Sequence, residues 1–194
     1  FNGCIPVPGD YNCDGKADLA VYYPPTGCWF IGGLDGTRIV WNVAWGFAGC
    51  TPVAGDFDGD GKADLALFHA ASGTWYIREV SGRVITSGLS WGFAGCTPVS
   101  GDYDGDGRTD LIVFHNATGR WFIRDMTGNI RLYNFAWGFN GCTPMVGDYN
   151  GGGLGELAAY HQPSGRWYII QPQTGAVQAN GTTVAAAGAV PVKL

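Results

Sequence analysis

The sequence predicts an all-β fold assembled from four copies of one structural unit. A Gly-Asp pair recurs at intervals of 46 residues, with its glycine at Gly9, Gly55, Gly101 and Gly147. Each copy holds four short apolar runs separated by Gly-containing turns, and helix signals are missing. Four strands in a unit of about 40 to 50 residues are typical of a β-propeller blade. We therefore expect four blades of four strands each.

Each expected strand is placed by its position relative to the Gly-Asp pair. The first strand precedes the pair and the second follows it. The third strand begins at a tryptophan, and the fourth is more variable. The expected first strands are 5–7, 51–53, 97–99 and 143–146, the second strands are 19–23, 65–69, 111–115 and 157–161, the third begin at Trp29, Trp75, Trp121 and Trp167, and examples of the fourth are 83–87 and 129–134. The repeats then span about 4–49, 50–95, 96–141 and 142–189 of one propeller-like domain, 1–194.

The loop between the first two strands of the second unit has the residues of a calcium site. Asp56, Asp58, Asp60 and Asp64 occupy positions one, three, five and nine of this loop, and Gly61 occupies position six. Ca²⁺ binds six to eight oxygen atoms at about 2.3 to 2.6 Å, and alternate residues of a tight loop can all turn carboxylates inward. Position seven contributes a backbone carbonyl in such loops. We therefore expect about three Ca²⁺ per chain, from loops 1 to 3.

The other loops repeat this pattern with different completeness. Loop 2 (residues 56–64) and loop 3 (residues 102–110) carry four acids each, loop 1 (residues 10–18) carries three, and loop 4 (residues 148–156) carries two. In loop 4, Gly152 replaces the third carboxylate, so we expect weak or no binding there. The expected ligands are Asp10, Asn12, Asp14, Lys16 and Asp18; Asp56, Asp58, Asp60, Lys62 and Asp64; Asp102, Asp104, Asp106, Arg108 and Asp110; and, weakly, Asp148, Asn150 and Glu156, with Lys16, Lys62 and Arg108 acting through their carbonyls.

The acidity of the chain is explained by these loops. They contain 13 of the 16 acidic residues, and three bound Ca²⁺ would change the formal charge from −5 to +1. The sequence has no basic stripe of the kind that binds nucleic acid, and no apolar run of about 18 residues that could span a membrane. Calcium loops and an even number of cysteines, six, indicate an extracellular or cell-surface protein.

The repeated motif is similar to a known family. The segment Trp45-Gly-Phe, followed by Thr51-Pro-Val-Ala-Gly-Asp-Phe-Asp-Gly-Asp-Gly-Lys-Ala-Asp-Leu, resembles the FG-GAP or VCBS repeats of integrin alpha-subunit propellers and of secreted bacterial proteins. The resemblance covers nearly the whole chain. It implies a β-propeller with calcium in the loop between the first two strands of each blade. Integrin propellers have seven blades, whereas this chain has four units; an open stack or a ring completed between chains is an alternative to a closed four-bladed ring.

The chain end and the cysteines leave alternatives open. Residues 190–194 look like a fifth first strand, which either closes the ring or pairs with an edge of another subunit. Because equivalent points on neighbouring blades are usually too far apart for a disulfide, the periodic set Cys4, Cys50, Cys96 and Cys142 is expected to be buried thiols. Cys13 and Cys28 should lie at opposite ends of the second strand. If oxidised, they would link stacked subunits.

Nothing in the sequence has the arrangement of a catalytic site. His69, His115 and His161 share one repeat position, where we expect packed or hydrogen-bonding residues at a strand end. The repeated tryptophans either fill the wedge between blades, as we favour, or form platforms for sugar rings. The sequence thus indicates a secreted non-catalytic module for adhesion or assembly. The expected partner is a second copy of the chain, in a filament or matrix, or an extracellular protein or glycan. The alternatives are a multivalent lectin-like binder and, third, a fragment of a polysaccharide-active enzyme.

Overall fold

The computed structural model describes residues 2–184, which form sixteen β-strands and no helix. The strands, in four groups of four along the chain, are β1 (Ile5–Pro6), β2 (Leu19–Tyr23), β3 (Cys28–Gly32) and β4 (Arg38–Ala44); β5 (Cys50–Val53), β6 (Leu65–His69), β7 (Thr74–Arg78) and β8 (Val84–Ser90); β9 (Cys96–Val99), β10 (Leu111–His115), β11 (Arg120–Arg124) and β12 (Ile130–Ala136); and β13 (Cys142–Gly147), β14 (Glu156–His161), β15 (Arg166–Gln171) and β16 (Ala176–Thr183).

Each group forms its own antiparallel sheet in which strands adjacent in sequence are adjacent in space. The all-β, β-propeller-like character that the repeats predict is therefore confirmed. The second strands of the first three sheets have the predicted bounds. The first strands of the last three sheets begin one residue early, at a cysteine, and the fourth strands extend to Ser90 and Ala136, beyond the predicted ends. The predicted strand at 190–194 lies outside the described residues.

In the last three sheets, the second strand is the most buried strand. In β6 and β10 the first four residues are buried, so both faces of these strands are covered. Their sequences, Leu-Ala-Leu-Phe and Leu-Ile-Val-Phe, are continuous apolar runs, as strands covered on both faces require. Because they are hydrogen-bonded on both edges as well, they fix the position of the acidic loop that leads into them.

The fourth strands are irregular edges. Every pairing of a third with a fourth strand contains two register shifts, as in a β-bulge. Asn42 and Asn134 have positive φ values of 57° and 59° within these strands, a conformation that asparagine tolerates better than most residues. The bulges lengthen the fourth strands to seven or eight residues, and they interrupt the simple alternation that would have revealed the strand bounds in the sequence.

The chain divides into two compact units between Ala94 and Gly95, each holding two sheets. In the first unit, one hydrophobic core joins the two sheets; Tyr22 and Trp29 of the first sheet pack with Leu65 and Leu67 of the second. In the second unit, Phe114 and Trp121 pack in the same way with Leu157 and Ala159. A buried tryptophan of this kind contributes about 3–5 kcal/mol relative to alanine.

The Trp-Gly-Phe segments connect one sheet to the next within each unit. The Trp29 indole N–H donates to the Trp45 carbonyl at 2.8 Å, and the Trp121 indole donates to the Trp137 carbonyl at 2.6 Å. Gly27 must be glycine here, since it has φ +68° and a Cβ atom would lie 2.2 Å from the Gly46 carbonyl oxygen. Trp29 and Trp121 are thereby held in the buried core between the two sheets of their unit.

Candidate metal centre

Each acidic loop is a tight connection between the first and second strands of its sheet. A backbone hydrogen bond closes its base: the Asp64 N–H donates to the Gly55 carbonyl at 2.7 Å, and the Asp110 N–H donates to the Gly101 carbonyl at 2.9 Å. Loop 1 closes in the same way. The first and ninth positions of a loop are thus brought together by the strands themselves, before any ion is considered.

The first aspartate is the hub of every loop. Its carboxylate accepts the N–H of the glycine at position six in all four copies, at 2.7 Å for Gly15, 2.7 Å for Gly61, 2.8 Å for Gly107 and 2.9 Å for Gly153. Each of these glycines has φ between +78° and +85°, a left-handed conformation that favours glycine and explains why this residue type recurs at position six. The four glycine N–H groups are equivalent points from which to observe the four loops.

The acid at position nine is buried beneath the loop, and the backbone at position two donates to one of its oxygens in every copy. One of its oxygens accepts the N–H of position two, which is Tyr11, Phe57, Tyr103 or Tyr149, at 2.7 to 2.8 Å. Asp18, Asp64, Asp110 and Glu156 are all at most 3% exposed. The structure therefore places a buried carboxylate at the position that sequence spacing assigned to the last ligand.

Loops 2 and 3 bring acidic oxygens together most closely. Ligand atoms of Asp56, Asp58 and Asp64 lie within 4.8 Å of one another, as do those of Asp102, Asp104 and Asp106. In the described part of the chain, loops 1 and 4 do not form such a group. At position seven, the N–H groups of Lys62 and Arg108 donate to the carboxylates of Asp60 and Asp106 at 2.9 Å. The same holds for Lys16 and Asp14; ligation by these three carbonyls stays a prediction.

The aspartates at position nine of loops 2 and 3 have raised pKa values, because they are buried and lie close to other carboxylates. Burial raises the pKa of Asp64 to about 7, and the nearby carboxylates of loop 2 raise it too, against the effect of the Phe57 N–H. Burial and the carboxylates of loop 3 likewise raise the pKa of Asp110 to about 7. The pKa of Asp104 is also raised, first by burial and then by Asp106. A cation in either loop would remove this penalty.

Loop 3 contains a carboxylate oxygen that fits a metal ion. Asp110 is 0% exposed, and its Oδ1 has no hydrogen-bond partner in the described residues. A buried carboxylate oxygen without a donor is costly, whereas an ion ligated by hard oxygen atoms satisfies it. The donor set, composed only of carboxylates and carbonyls, suits Ca²⁺ better than softer metals.

Loops 1 and 4 satisfy the ninth-position acid differently. Position three is asparagine in both, and its side-chain amide donates to that acid: Asn150 Nδ2 lies 2.5 Å from Glu156 Oε1, and Asn12 Nδ2 lies 3.4 Å from Asp18 Oδ1. Together with the Tyr149 N–H, the Asn150 amide provides a donor to both oxygens of Glu156. The Asn150–Glu156 contact closes loop 4 tightly, and the corresponding contact in loop 1 is long and weak.

The spacing of ligands did not reveal two arginines that contact loops 2 and 3. Arg83 pairs with Asp58 and with Glu79, and Arg131 Nη2 lies 2.6 Å from Asp104 Oδ2 and 2.8 Å from Asp125 Oδ2. A sequence signal was present. Only three acids lie outside the loops, and two of them, Glu79 and Asp125, are separated by the repeat length of 46 residues.

The repeated histidines have the structural role that the sequence favours. His69 Nδ1 lies 2.7 Å from Ser72 Oγ, and its ring packs against Phe47. In the second unit, His161 Nδ1 lies 2.7 Å from Ser164 Oγ and its ring packs against Phe139. They are packed, hydrogen-bonded residues at strand ends, as expected.

The buried tryptophans and the cysteines also follow the favoured interpretation. Trp29, Trp75 and Trp121 are 0% exposed, which leaves them no face for a sugar ring, whereas Trp45, Trp91, Trp137 and Trp167 are half-buried, and for these four the choice between packing and sugar binding stays open. No disulfide joins the six cysteines within residues 2–184, and Cys50, Cys96 and Cys142 are buried while Cys4 is half-buried. Cys13 is exposed in loop 1 and Cys28 is buried opposite Tyr23, at the other end of β2, as predicted.

The fold and site thus define an all-β repeat protein whose sheets carry acidic loops. Comparison with models of known protein families finds no match, and comparison with curated proteins finds none. None of the described residues forms a helix long and apolar enough to cross a membrane.

Solved structures do resemble this chain. They include a Bacteroides caccae protein of unknown function, with 15% identity and a TM-score of 0.61 over 95% of this chain. An Agrocybe aegerita lectin that recognises non-reducing terminal N-acetylglucosamine has 18% identity and a TM-score of 0.61 over 89%. Streptogramin B lyase has 14% identity and a TM-score of 0.58 over 94%. This chain spans 62%, 50% and 56% of their respective lengths, and the likeness concerns the fold alone.

Proposed function

We propose that this chain is a calcium-binding β-propeller module of the FG-GAP/VCBS type that acts outside the cell without catalysis. One observation carries the calcium assignment: Asp110 is fully buried beneath loop 3 with an oxygen that lacks a donor. The grouping of acidic oxygens in loops 2 and 3 supports it: those of Asp56, Asp58 and Asp64, and those of Asp102, Asp104 and Asp106, lie within 4.8 Å of one another, while Asp60 and Asp110 fall outside these two groups. Calcium would supply the positive charge that these loops lack.

The test of this proposal is the number of ions bound. Native mass spectrometry and calorimetric titration of the metal-free protein should show calcium binding that saturates near three ions per chain. Loops 2 and 3 should bind more tightly than loop 1, because ligand charge sets affinity in such loops and loop 1 has an asparagine at position three. Four equal ions, or none, would contradict the assignment of these loops.

The module is proposed to serve adhesion or extracellular assembly. Repetition, rigidity from calcium and the use of nearly all acids as ligands support a structural or binding role. We favour self-association, in which residues 190–194 pair with an edge strand of another copy. Cys28 is buried and its thiol lies 3.7 Å from the Thr26 carbonyl, so a disulfide to another subunit would first require local opening. Self-association is therefore proposed through the terminal segment, with the cysteines secondary.

Removal of the terminal segment tests self-association. Deletion of residues 190–194 should reduce particle size in light scattering and electron microscopy while leaving the calcium count unchanged. If the intact chain and the deletion variant are both folded monomers, strand donation is wrong. If deletion only unfolds a monomer, the segment closes the ring of one chain.

Binding of carbohydrate is the second candidate, favoured by one exposed aromatic site. Trp41 is 51% exposed, packs edge-on against Phe30 at 5.4 Å, and carries the Arg38 guanidinium 4.4 Å above its ring. An exposed aromatic ring can stack on a sugar ring, and a sugar on the face that Arg38 covers would displace its guanidinium. A glycan array with the intact protein and with Trp41→Ala tests this: signals that disappear in the variant support a lectin-like role, and no signal contradicts it.

A further inference from the structure

Loops 2 and 3 share a feature that loops 1 and 4 lack. In both, the carboxylate at position three contacts an arginine from the turn or strand that follows the third strand of the same sheet. In both, that arginine also contacts an acid at the start of this turn, Glu79 or Asp125. The equivalents of this acid in the other two sheets are Gly33 and Gln171.

The two arginines reach the same contact from different positions. Arg83 immediately precedes β8, whereas Arg131 is the second residue of β12, so they differ by two residues in repeat position. Copying of the repeat therefore does not account for the shared contact. In loops 1 and 4, where position three is asparagine, the asparagine amide performs a comparable task by donating to the ninth-position acid.

Arg131 contacts the oxygen of Asp104 that the loop backbone leaves available. Asp104 Oδ1 accepts the Asp106 N–H at 3.2 Å, whereas Oδ2 faces Arg131 Nη2 at 2.6 Å. The contact with Oδ2 is an ion pair without aligned hydrogen-bond geometry, and the Arg131 side chain is 39% exposed. By contrast, the Asp125 carboxylate that shares Arg131 is held firmly by Thr127 and Asn129.

We propose that Arg83 and Arg131 are internal counter-cations that compete with calcium for the third-position carboxylates of loops 2 and 3. This proposal rests on the proposed calcium function. Without calcium, the guanidinium neutralises a crowded loop and keeps it folded. When calcium binds, the arginine leaves Asp58 or Asp104 and stays paired with Glu79 or Asp125. Because calcium must displace the arginine, loops 2 and 3 bind calcium less tightly than their carboxylates alone would. They therefore release the ion at a higher calcium concentration, and binding at these two sites is reversible.

The main test is Arg131→Gln, observed at the two sites separately. In two-dimensional NMR spectra, the Gly107 amide reports loop 3 and the Gly61 amide reports loop 2. The variant should lower the calcium concentration for half-saturation at Gly107 about three- to fivefold, which corresponds to a partly exposed ion pair, and leave Gly61 unchanged. The metal-free variant should also melt at a lower temperature than the metal-free wild type.

The matched control is Arg120→Gln. It removes the same charge from the same sheet. Arg120, however, lies at the end of β11 away from loop 3, because Leu111, which follows loop 3, pairs with Arg124 at the other end. The Arg120 guanidinium donates to the Asn134 carbonyl. Its calcium titration at Gly107 should match that of the wild type. Arg131→Lys keeps the charge and should restore most of the wild-type affinity.

The shared acid provides a test of opposite sign. In Asp125→Asn, Arg131 loses its second partner and pairs with Asp104 alone, so half-saturation at Gly107 should require more calcium. In the double variant Asp125→Asn with Arg131→Gln, the arginine that competes with calcium is absent. Asp125→Asn should therefore weaken calcium binding less than it does when Arg131 is present.

The outcomes separate the inference from the proposed function. If Gly107 of the wild type does not respond to calcium, the proposed function fails. If the wild type responds but Arg131→Gln weakens binding, the arginine positions a ligand instead of competing with calcium, and the inference is wrong. An unchanged affinity in that variant also overturns it.

Discussion

Loop 3 and loop 4 have nearly the same backbone but satisfy their buried acid in opposite ways. Both wrap around a first-position aspartate, and both bury the acid at position nine completely. In loop 4, Glu156 receives donors from within the loop at both oxygens. In loop 3, one Asp110 oxygen has no donor and the pKa of Asp110 is raised. The two loops thus share one backbone arrangement and differ in how the buried charge is satisfied, and the unsatisfied charge of loop 3 is what we propose that calcium neutralises.

The position-three residue explains most of this difference. Asn150 carries an N–H that can satisfy the neighbouring acid, whereas Asp104 adds a further negative charge. Loop 3 also has Asp106 and Asp110 where loop 4 has Gly152 and Glu156, so loop 3 holds more negative charge around its buried acid. The same contrast at position three separates loop 1 from loop 2, although the amide contact in loop 1 is longer.

Removal of calcium should have the largest effect, mainly through loops 2 and 3 and less through loop 1. A ligand at a hundredfold excess over its Kd stabilises the folded state by about 2.7 kcal/mol per site. For a protein of this size, each kcal/mol changes Tm by roughly 2–4 °C, so chelation should lower Tm by well over 5 °C. Differential scanning calorimetry with and without EDTA measures this change. An unchanged melting curve would count against calcium in these loops.

In the metal-free protein, neutralising the acid at position nine should have opposite effects on stability in loop 3 and loop 4. Asp110→Asn removes an unsatisfied charge, so it should stabilise the metal-free protein or leave it unchanged, and it should destabilise the calcium-loaded protein. Glu156→Gln places an amide N–H where a donor is already present, and should destabilise both forms equally, by about 1–3 kcal/mol. Urea denaturation of both variants, with calcium and after its removal, measures these effects. Equal behaviour of the two variants would contradict the comparison.

The pH dependence of stability should appear only without metal. In the folded metal-free protein Asp64 and Asp110 have a pKa of about 7, against an ordinary value of 3.8 when unfolded. Because the folded state then keeps protons that the unfolded state releases, stability should fall as pH rises from about 4 to about 7. Denaturation of the metal-free protein at pH 5 and pH 8 tests the sign. At saturating calcium, stability should no longer fall as pH rises. A metal-free protein that is more stable at pH 8 than at pH 5 would contradict the prediction.

Giving loop 4 the position-three aspartate of loops 2 and 3 should change the stability of the protein by a smaller amount. Asn150→Asp removes the amide that satisfies Glu156 and places two carboxylates together, so the metal-free protein should lose about 1–3 kcal/mol of stability. Calcium should restore part of it, because the variant loop gains a third carboxylate. Urea denaturation measures the loss, and a variant as stable as the wild type without calcium would show that the Asn150 amide is not needed.

The sequence predicted the features that local chemistry determines. The strand bounds of β2, β6 and β10 followed from continuous apolar runs, and the loop hubs followed from the spacing of Asp56 and Gly61. The contacts of Arg83 and Arg131 could not be predicted, because they depend on how far a bulged edge strand brings each side chain toward a loop. The hydrogen bond from Asn150 to Glu156 was missed for a related reason. An asparagine at position three can bind an ion through its oxygen or can donate its amide N–H to the acid at position nine, and only the loop geometry distinguishes these two roles.

The four sixth-position glycines provide the most direct test of the central claim. Gly15, Gly61, Gly107 and Gly153 donate in the same way to the first aspartate of their loops, so one calcium titration followed by NMR observes all four loops in one protein. The account predicts that Gly61 and Gly107 respond at the lowest calcium concentration, Gly15 responds later, and Gly153 does not respond. Four glycines that respond together, or none that responds, would contradict it.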